Sequence, residues 1–167
     1  MANRMNDIEG LKMAVEIEKR GENFYRLAAE KFAGEEKIQA IFKMLGEEEK
    51  EHIAIFSEYY EKVAATKEAH EVEYLYDEEV SRYITLLAEQ HVFPPEKDAP
   101  AVLEEIKKPT DALKMSMQAE KDSILLYGEL FENAKFESTK KVFSDLRDEE
   151  RRHTVVLAKK IQAIING

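Results

Sequence analysis

The sequence predicts an all-α fold: a four-helix bundle of two antiparallel helix pairs, joined by a long crossover that carries a further helix. Three observations lead there. Four long segments space their apolar residues three and four apart, the period of a helix with one buried face. Only 4 Pro and 6 Gly occur in 167 residues, so long helices can run uninterrupted. Finally, a short polar pattern occurs twice: Glu18 followed by Glu49-x-x-His52, and Glu120 followed by Glu150-x-x-His153.

The first helix is expected from about Asn6 to Phe32, with Leu11, Ala14, Val15, Glu18, Gly21, Tyr25, Ala28 and Phe32 facing inward. Gly34 follows as its stop signal. The second covers about Glu35 to Ala65, with Ile38, Phe42, Leu45, Glu49, His52, Phe56, Tyr59 and Val63 on its stripe. The third begins after Pro109, where Thr110 is a candidate cap, and buries Leu113, Met117, Glu120, Ile124, Tyr127 and Phe131. The fourth runs from about Lys135 to Ile165 through Val142, Leu146, Glu150, His153, Leu157, Ile161 and Ile164. Short turns near Gly34 and Asn133 make each pair antiparallel.

The stretch between the pairs is too long for a bare loop. Its own helical pattern spans about Val72 to Gln90, and a shorter run covers Ala101–Lys107. The whole chain, 1–167, thus reads as a single domain: a helix pair over 6–65, a crossover over 66–109 and a second pair over 110–165. The halves match in detail. Phe42-x-x-Leu45-x-x-x-Glu49-x-x-His52 aligns with Phe143-x-x-Leu146-x-x-x-Glu150-x-x-His153, and Glu18 to Tyr25 has the same step as Glu120 to Tyr127.

Composition narrows the function classes. With 25 Lys and Arg against 35 Asp and Glu, the formal charge is -10, which disfavours nucleic acid as a partner. There is no cysteine, so disulfides, iron–sulfur clusters and thiol catalysis are out of reach. No run approaches 18 consecutive apolar residues and the first residues lack an apolar leader core, so a cytoplasmic protein with no membrane partner is the expectation.

The six repeated polar residues carry the chemistry. Side chains three apart on a helix share a face, so each Glu-x-x-His can turn a carboxylate and an imidazole toward one point. Carboxylates are costly to bury without a partner, and a metal ion supplies one. Mixed oxygen and nitrogen ligation without sulfur suits iron or manganese, and zinc fits as well. A single Glu-x-x-His in so acidic a chain reads as a solvated face. Two pairs plus two lone glutamates, all on apolar stripes, read as a dinuclear centre. Tyr25 and Tyr127 lie two turns beyond Glu18 and Glu120, where their hydroxyls can orient carboxylate ligands or simply fill the core. His70 and His91 fall outside the pattern and read as surface residues. Met13, Met44, Met115 and Met117 read as core filler.

These positions resemble the ferritin-like di-iron carboxylate superfamily, and within it the rubrerythrin-like group. The resemblance rests on Glu18-x-x-Gly21-x-x-Phe24-Tyr25, on Leu45-Gly46-Glu47-Glu48-Glu49-Lys50-Glu51-His52 and on Glu150-x-x-His153. It implies a ferritin-like bundle holding two iron ions on Glu18, Glu49, His52, Glu120, Glu150 and His153, with Glu49 and Glu150 bridging. It also implies reduction of hydrogen peroxide or dioxygen. Rubrerythrins proper carry a four-cysteine rubredoxin domain, which this chain lacks, and a further ligand glutamate where this chain has Ser123. Turnover then needs an external electron donor such as a rubredoxin or flavoprotein. Two other functions fit the same residues: non-catalytic iron binding or storage, and an oxidase or hydroxylase of an organic substrate. The crossover helix, with Tyr74, Tyr76 and Phe93 read as exposed, suggests a homodimer.

Overall fold

The computed structural model describes residues 4–90 and 92–167, so His91 lies outside the described residues. Among these, α1 (Asp7–Lys31) and α2 (Glu36–Ala64) form the first hairpin of helices. The crossover contains α3 (Glu78–Gln90) and α4 (Ala99–Glu105), and α5 (Pro109–Asn133) and α6 (Glu137–Asn166) form the second hairpin. The fold is a four-helix bundle with a long crossover, as the periodicity predicts.

Local signals mark the starts of α1 and α5. Asn6 caps α1 in a reciprocal box: its side chain accepts from Glu9 N at 3.1 Å, and its backbone N donates to Glu9 Oε2 at 2.9 Å. The Thr110 cap does not form. Helix α5 starts one residue earlier, with Pro109 in its first turn, where a fixed φ and a missing N–H cost nothing. Gly34 sits in the turn after α1, but no glycine among the described residues adopts positive φ, so the turn closes without a left-handed residue.

The crossover departs from its expected helix at one end. Residues 72–77 are not α-helical; a 3₁₀ turn at Val72–Tyr74 leads into extended backbone at Leu75. Tertiary bonds take the backbone groups that a helix would use. Tyr76 N donates to Met5 O at 2.7 Å, Arg4 Nε donates to Tyr76 O at 2.7 Å, and Met5 N donates to Ser81 Oγ at 3.0 Å. Tyr76 itself is buried and its hydroxyl donates to buried Asp7 at 2.9 Å. Asp7 also accepts from Lys135 N at 2.9 Å and Phe136 N at 3.0 Å, tying the start of α1 to the turn between α5 and α6.

Surface and core differ from expectation at a few positions. Tyr76 and Phe93, read as exposed, are buried, and Tyr74 is half-buried against Phe136. Met44 and Met115, read as core filler, are exposed, while Met13 and Met117 are half-buried. Ile164, placed on the stripe of α6, is exposed as well. His70 is exposed, as expected.

The length of the crossover is a geometric necessity. Cross-bundle contacts set Glu18 against Tyr127 and Glu120 against Tyr25, a register that only antiparallel α1 and α5 can produce. Helix α2 must then run parallel to α5, so the chain has to travel back along the bundle between them, roughly 40 Å at about 1.5 Å per residue. Two apolar clusters fill the bundle. One includes Leu11, Phe56, Tyr127, Phe143 and Leu146; the other includes Phe24, Tyr25, Phe42, Leu113 and Leu157. Each fully buried side chain of this kind contributes roughly 1.5–3 kcal/mol. On every bundle helix, a polar residue of the repeated pattern lies between members of the two clusters.

A candidate dinuclear metal centre

The structure brings all six residues of the repeated pattern together in the polar level between the clusters. Glu18 comes from α1, Glu49 and His52 from α2, Glu120 from α5, and Glu150 and His153 from α6; all are buried. They form two groups, each with ligand atoms within 4.8 Å of one another. Glu18, Glu49, His52 and Glu150 make one group, and Glu49, Glu120, Glu150 and His153 make the other. Glu49 and Glu150 belong to both.

His52 Nδ1 lies 3.1 Å from Glu18 Oε2, Glu49 Oε2 and Glu150 Oε1. His153 Nδ1 lies 3.1 Å from Glu150 Oε2, 3.3 Å from Glu120 Oε1 and 3.7 Å from Glu49 Oε1. The two imidazoles stack at 5.4 Å between centroids, 16° from parallel. Each ring thus turns Nδ1 toward the carboxylates.

Tyr25 and Tyr127 do more than pack. The Tyr25 hydroxyl donates to Glu120 Oε1, and the Tyr127 hydroxyl donates to Glu18 Oε1. The pairing is diagonal: each tyrosine holds the lone glutamate of the other half. Burial, followed by the nearby Glu120 and Glu49 charges, pushes the Tyr25 hydroxyl well above its usual pKa, so it remains a donor.

Electrostatics show what this arrangement lacks. Burial, with help from neighbouring carboxylates, raises Glu18 and Glu49 and pushes Glu120 up to about 8. Glu150 moves the other way: burial and Glu49 push it up, but the adjacent Glu120, His153 and His52 prevail and lower it. Burial opposes charging of the imidazoles, yet their carboxylate neighbours outweigh it. His52 is raised, and His153 is pushed up to about 12. Each upward shift arises from carboxylates crowded together out of water, a cluster that favours added positive charge. Glu49 Oε1, Glu120 Oε2, both oxygens of Glu150 and both nitrogens of His153 are buried without a properly aligned hydrogen-bond partner. Uncompensated buried charge costs several kcal/mol. Metal cations held among these groups would answer those oxygens and His153 Nδ1, so the residues fit a metal site.

Two participants escape the sequence pattern. Glu48, off the apolar stripe, places Oε2 2.7 Å from His153 Nε2, the nitrogen turned away from the cluster. Phe93, in a proline-rich link, packs on Tyr25 at 5.2 Å and on Phe24 at 5.5 Å. Gly21 makes room for it: a Cβ there would lie 3.1 Å from the Phe93 ring and 3.5 Å from Glu49 Cδ. Ser123, at the matching place on α5, is buried.

A four-helix bundle with two Glu-x-x-His motifs and two further glutamates turned into its centre defines a ferritin-like protein of the carboxylate class. The rubrerythrin family profile matches residues 9–93 and 111–166, and the chain belongs to that family. Its fold is similar to that of a hypothetical protein from Pyrococcus furiosus, with 26% identity and a TM-score of 0.69 over 97% of this chain and 92% of that one. It is likewise similar to a Thermotoga maritima protein described as a putative ferritin-like diiron-carboxylate protein. There the identity is 22% and the TM-score 0.71, over 97% of this chain and 98% of that one. No curated protein matches the sequence significantly. No helix among the described residues is long and apolar enough to cross a membrane.

Proposed function

We propose that the chain is a di-iron oxidoreductase that reduces hydrogen peroxide or dioxygen with electrons from an external donor. The observation that carries this reading is the sharing of Glu49 and Glu150 by two ligand groups, the arrangement a bridged metal pair needs. Glu18 and His52 would complete one ion's protein ligands, Glu120 and His153 the other's. Two ions bound there supply two reducing equivalents and a Lewis-acidic docking point for a small oxidant.

The protein's own part is positioning and exclusion. Tyr25 and Tyr127 hold Glu120 and Glu18 in orientation from opposite ends of the cluster. Glu48 sets its carboxylate 2.7 Å from the outer nitrogen of His153, a charge contact that favours Nδ1 facing inward. The apolar layers above and below keep bulk water from the site, which strengthens its electrostatic interactions. These 167 residues hold no cysteine to relay electrons, so this reading takes them from an external donor such as a rubredoxin or flavoprotein.

The test is anaerobic loading with Fe(II) followed by hydrogen peroxide. The expected result is peroxide consumption well above that of free Fe(II), abolished in Glu49→Ala. Consumption no faster than with free Fe(II) would leave an iron-binding protein without this activity.

A further inference from the structure

The bundle has two seams that reach the cluster, between α1 and α5 and between α2 and α6, and they are finished differently. The crossover covers the first: α4 lies on α1, α3 lies on α5, and Phe93 is wedged against Phe24 and Tyr25. Along the second lies a groove of about 310 Å³, walled by Ile55 and Tyr59 of α2 and by Val142 and Leu146 of α6. His52, a member of the cluster, lines it.

The rim is acidic. Glu48, Glu51, Asp145 and Glu149 face the groove against the cation Arg152, which pairs with Glu149; Lys141 bonds Asp145 at 2.6 Å. Acidity alone would mean little. Here Glu48 joins rim to interior, because its Oε2 meets buried His153 Nε2, a nitrogen with no aligned hydrogen bond of its own. The equivalent carboxylate on the other half, Glu149, is engaged by Arg152 instead.

We propose that divalent metal ions reach the cluster through the α2–α6 groove, with Glu48 as the carboxylate that hands them inward. The proposal rests on the metal-centre reading above. A cleft lined by one sign of charge concentrates ions of the other sign and speeds their capture. Glu48 can hold an arriving cation at the rim while remaining in reach of the buried ligands. Small oxidants can follow the same path.

Stopped-flow mixing of the metal-free protein with Co(II), read by the visible absorption of the bound ion, tests the route directly. Glu48→Gln keeps the size of the side chain and an acceptor for His153 while removing the charge. It should slow loading by about tenfold, within the range of electrostatic steering. Ile55→Trp, on an exposed wall position, should also slow loading severalfold by narrowing the groove. Glu47→Gln is the control, since Glu47 lies beside Glu48 in sequence but lines the groove between α1 and α2. It should load at the wild-type rate, and all three variants should reach the wild-type stoichiometry. Wild-type rates in both Glu48→Gln and Ile55→Trp would overturn the route, as would equal slowing in Glu47→Gln. Reduced stoichiometry at an unchanged rate would reduce Glu48 to a positioning role and overturn it too. A wild-type protein that takes up no Co(II) would defeat the metal-centre reading itself.

Discussion

The layer around Tyr127 and the layer around Tyr25 occupy equivalent places on either side of the polar cluster, yet they are filled differently. Both contain a tyrosine near a phenylalanine from the neighbouring helix: Tyr127 with Phe143 at 6.4 Å, and Tyr25 with Phe42 at 6.1 Å. Around Tyr127 the next aromatic is Phe56 of α2, at 5.4 Å. The position equivalent to Phe56 on α6 is Leu157, and there the aromatic beside Tyr25 is Phe93 from the crossover, at 5.2 Å. The internal repeat therefore builds the frame of the centre twice, while its closure on one side depends on a connecting segment. One half is finished by regular helix and the other by an insertion.

The largest effect should come from breaking what the halves share. Glu49→Ala or Glu150→Ala should abolish binding of both ions, whereas Glu18→Ala or Glu120→Ala should leave one, as measured by elemental analysis after saturation and desalting. Two ions retained in Glu49→Ala would separate the halves into independent sites.

The two aromatics come next. Phe56→Ala should destabilise the protein by about 3–5 kcal/mol, the usual cost of emptying a well-packed aromatic site. Phe93→Ala should cost less, about 2 kcal/mol, because a loop can settle into the space more readily than two packed helices. Equal losses in denaturant titrations would mean that the crossover is as rigid as the bundle. Gly21→Ala tests the same wedge from below and should cost about 1–3 kcal/mol through overpacking. Part of that loss should be recovered with Phe93→Leu, since residues in contact couple.

The same contrast between repeat and insertion divides what was legible in the sequence from what was not. Glu18, Glu49, His52, Glu120, Glu150 and His153 announced themselves because a charged residue on an apolar stripe is costly unless it meets a partner, and here the cost recurs in both halves. Tyr25 and Tyr127 shared that stripe, and only their diagonal pairing needed the antiparallel register. Glu48 looked like one more surface acid beside Glu47 and Glu51. Phe93 had no periodic neighbours to reveal a buried face, and nothing in the pattern singled out Asp7. The helical period over 72–77 misled for a physical reason: Arg4 and Met5 claim the backbone bonds of Leu75 and Tyr76. Local pattern reports on helices, and tertiary backbone pairing overrides it at their margins.

Smaller effects should follow from the tyrosines. Tyr25→Phe and Tyr127→Phe should each weaken metal affinity by about tenfold, the lower end for losing a group that orients a ligand. The pair should respond alike in competition titrations, because each serves the opposite half; a strong inequality would break the symmetry of the frame.

The pH response has a definite sign. Glu120 goes from 4.5 in its ordinary state to about 8 in the metal-free fold, so the folded state favours its proton. The stability this proton confers is complete below about pH 4.5 and lost as pH rises through about 8. The raised His153 acts in the same direction above its ordinary value of 6.5. Metal-free protein should therefore melt lower at pH 8.5 than at pH 6.5, while metal affinity should rise over the same interval as protons are displaced. A metal-free melting temperature that rises toward pH 8.5 would contradict this assignment of protons.

Bridging of one pair of ions by carboxylates from both halves has a magnetic signature, because two bridged Mn(II) ions are spin-coupled and two separate ones are not. Electron paramagnetic resonance of the anaerobic protein titrated with Mn(II) reads that difference. Saturation should come at two ions per chain with a coupled spectrum, and the coupling should vanish in Glu49→Ala. Saturation with the hyperfine pattern of isolated Mn(II), or no binding at all, would contradict a bridged centre.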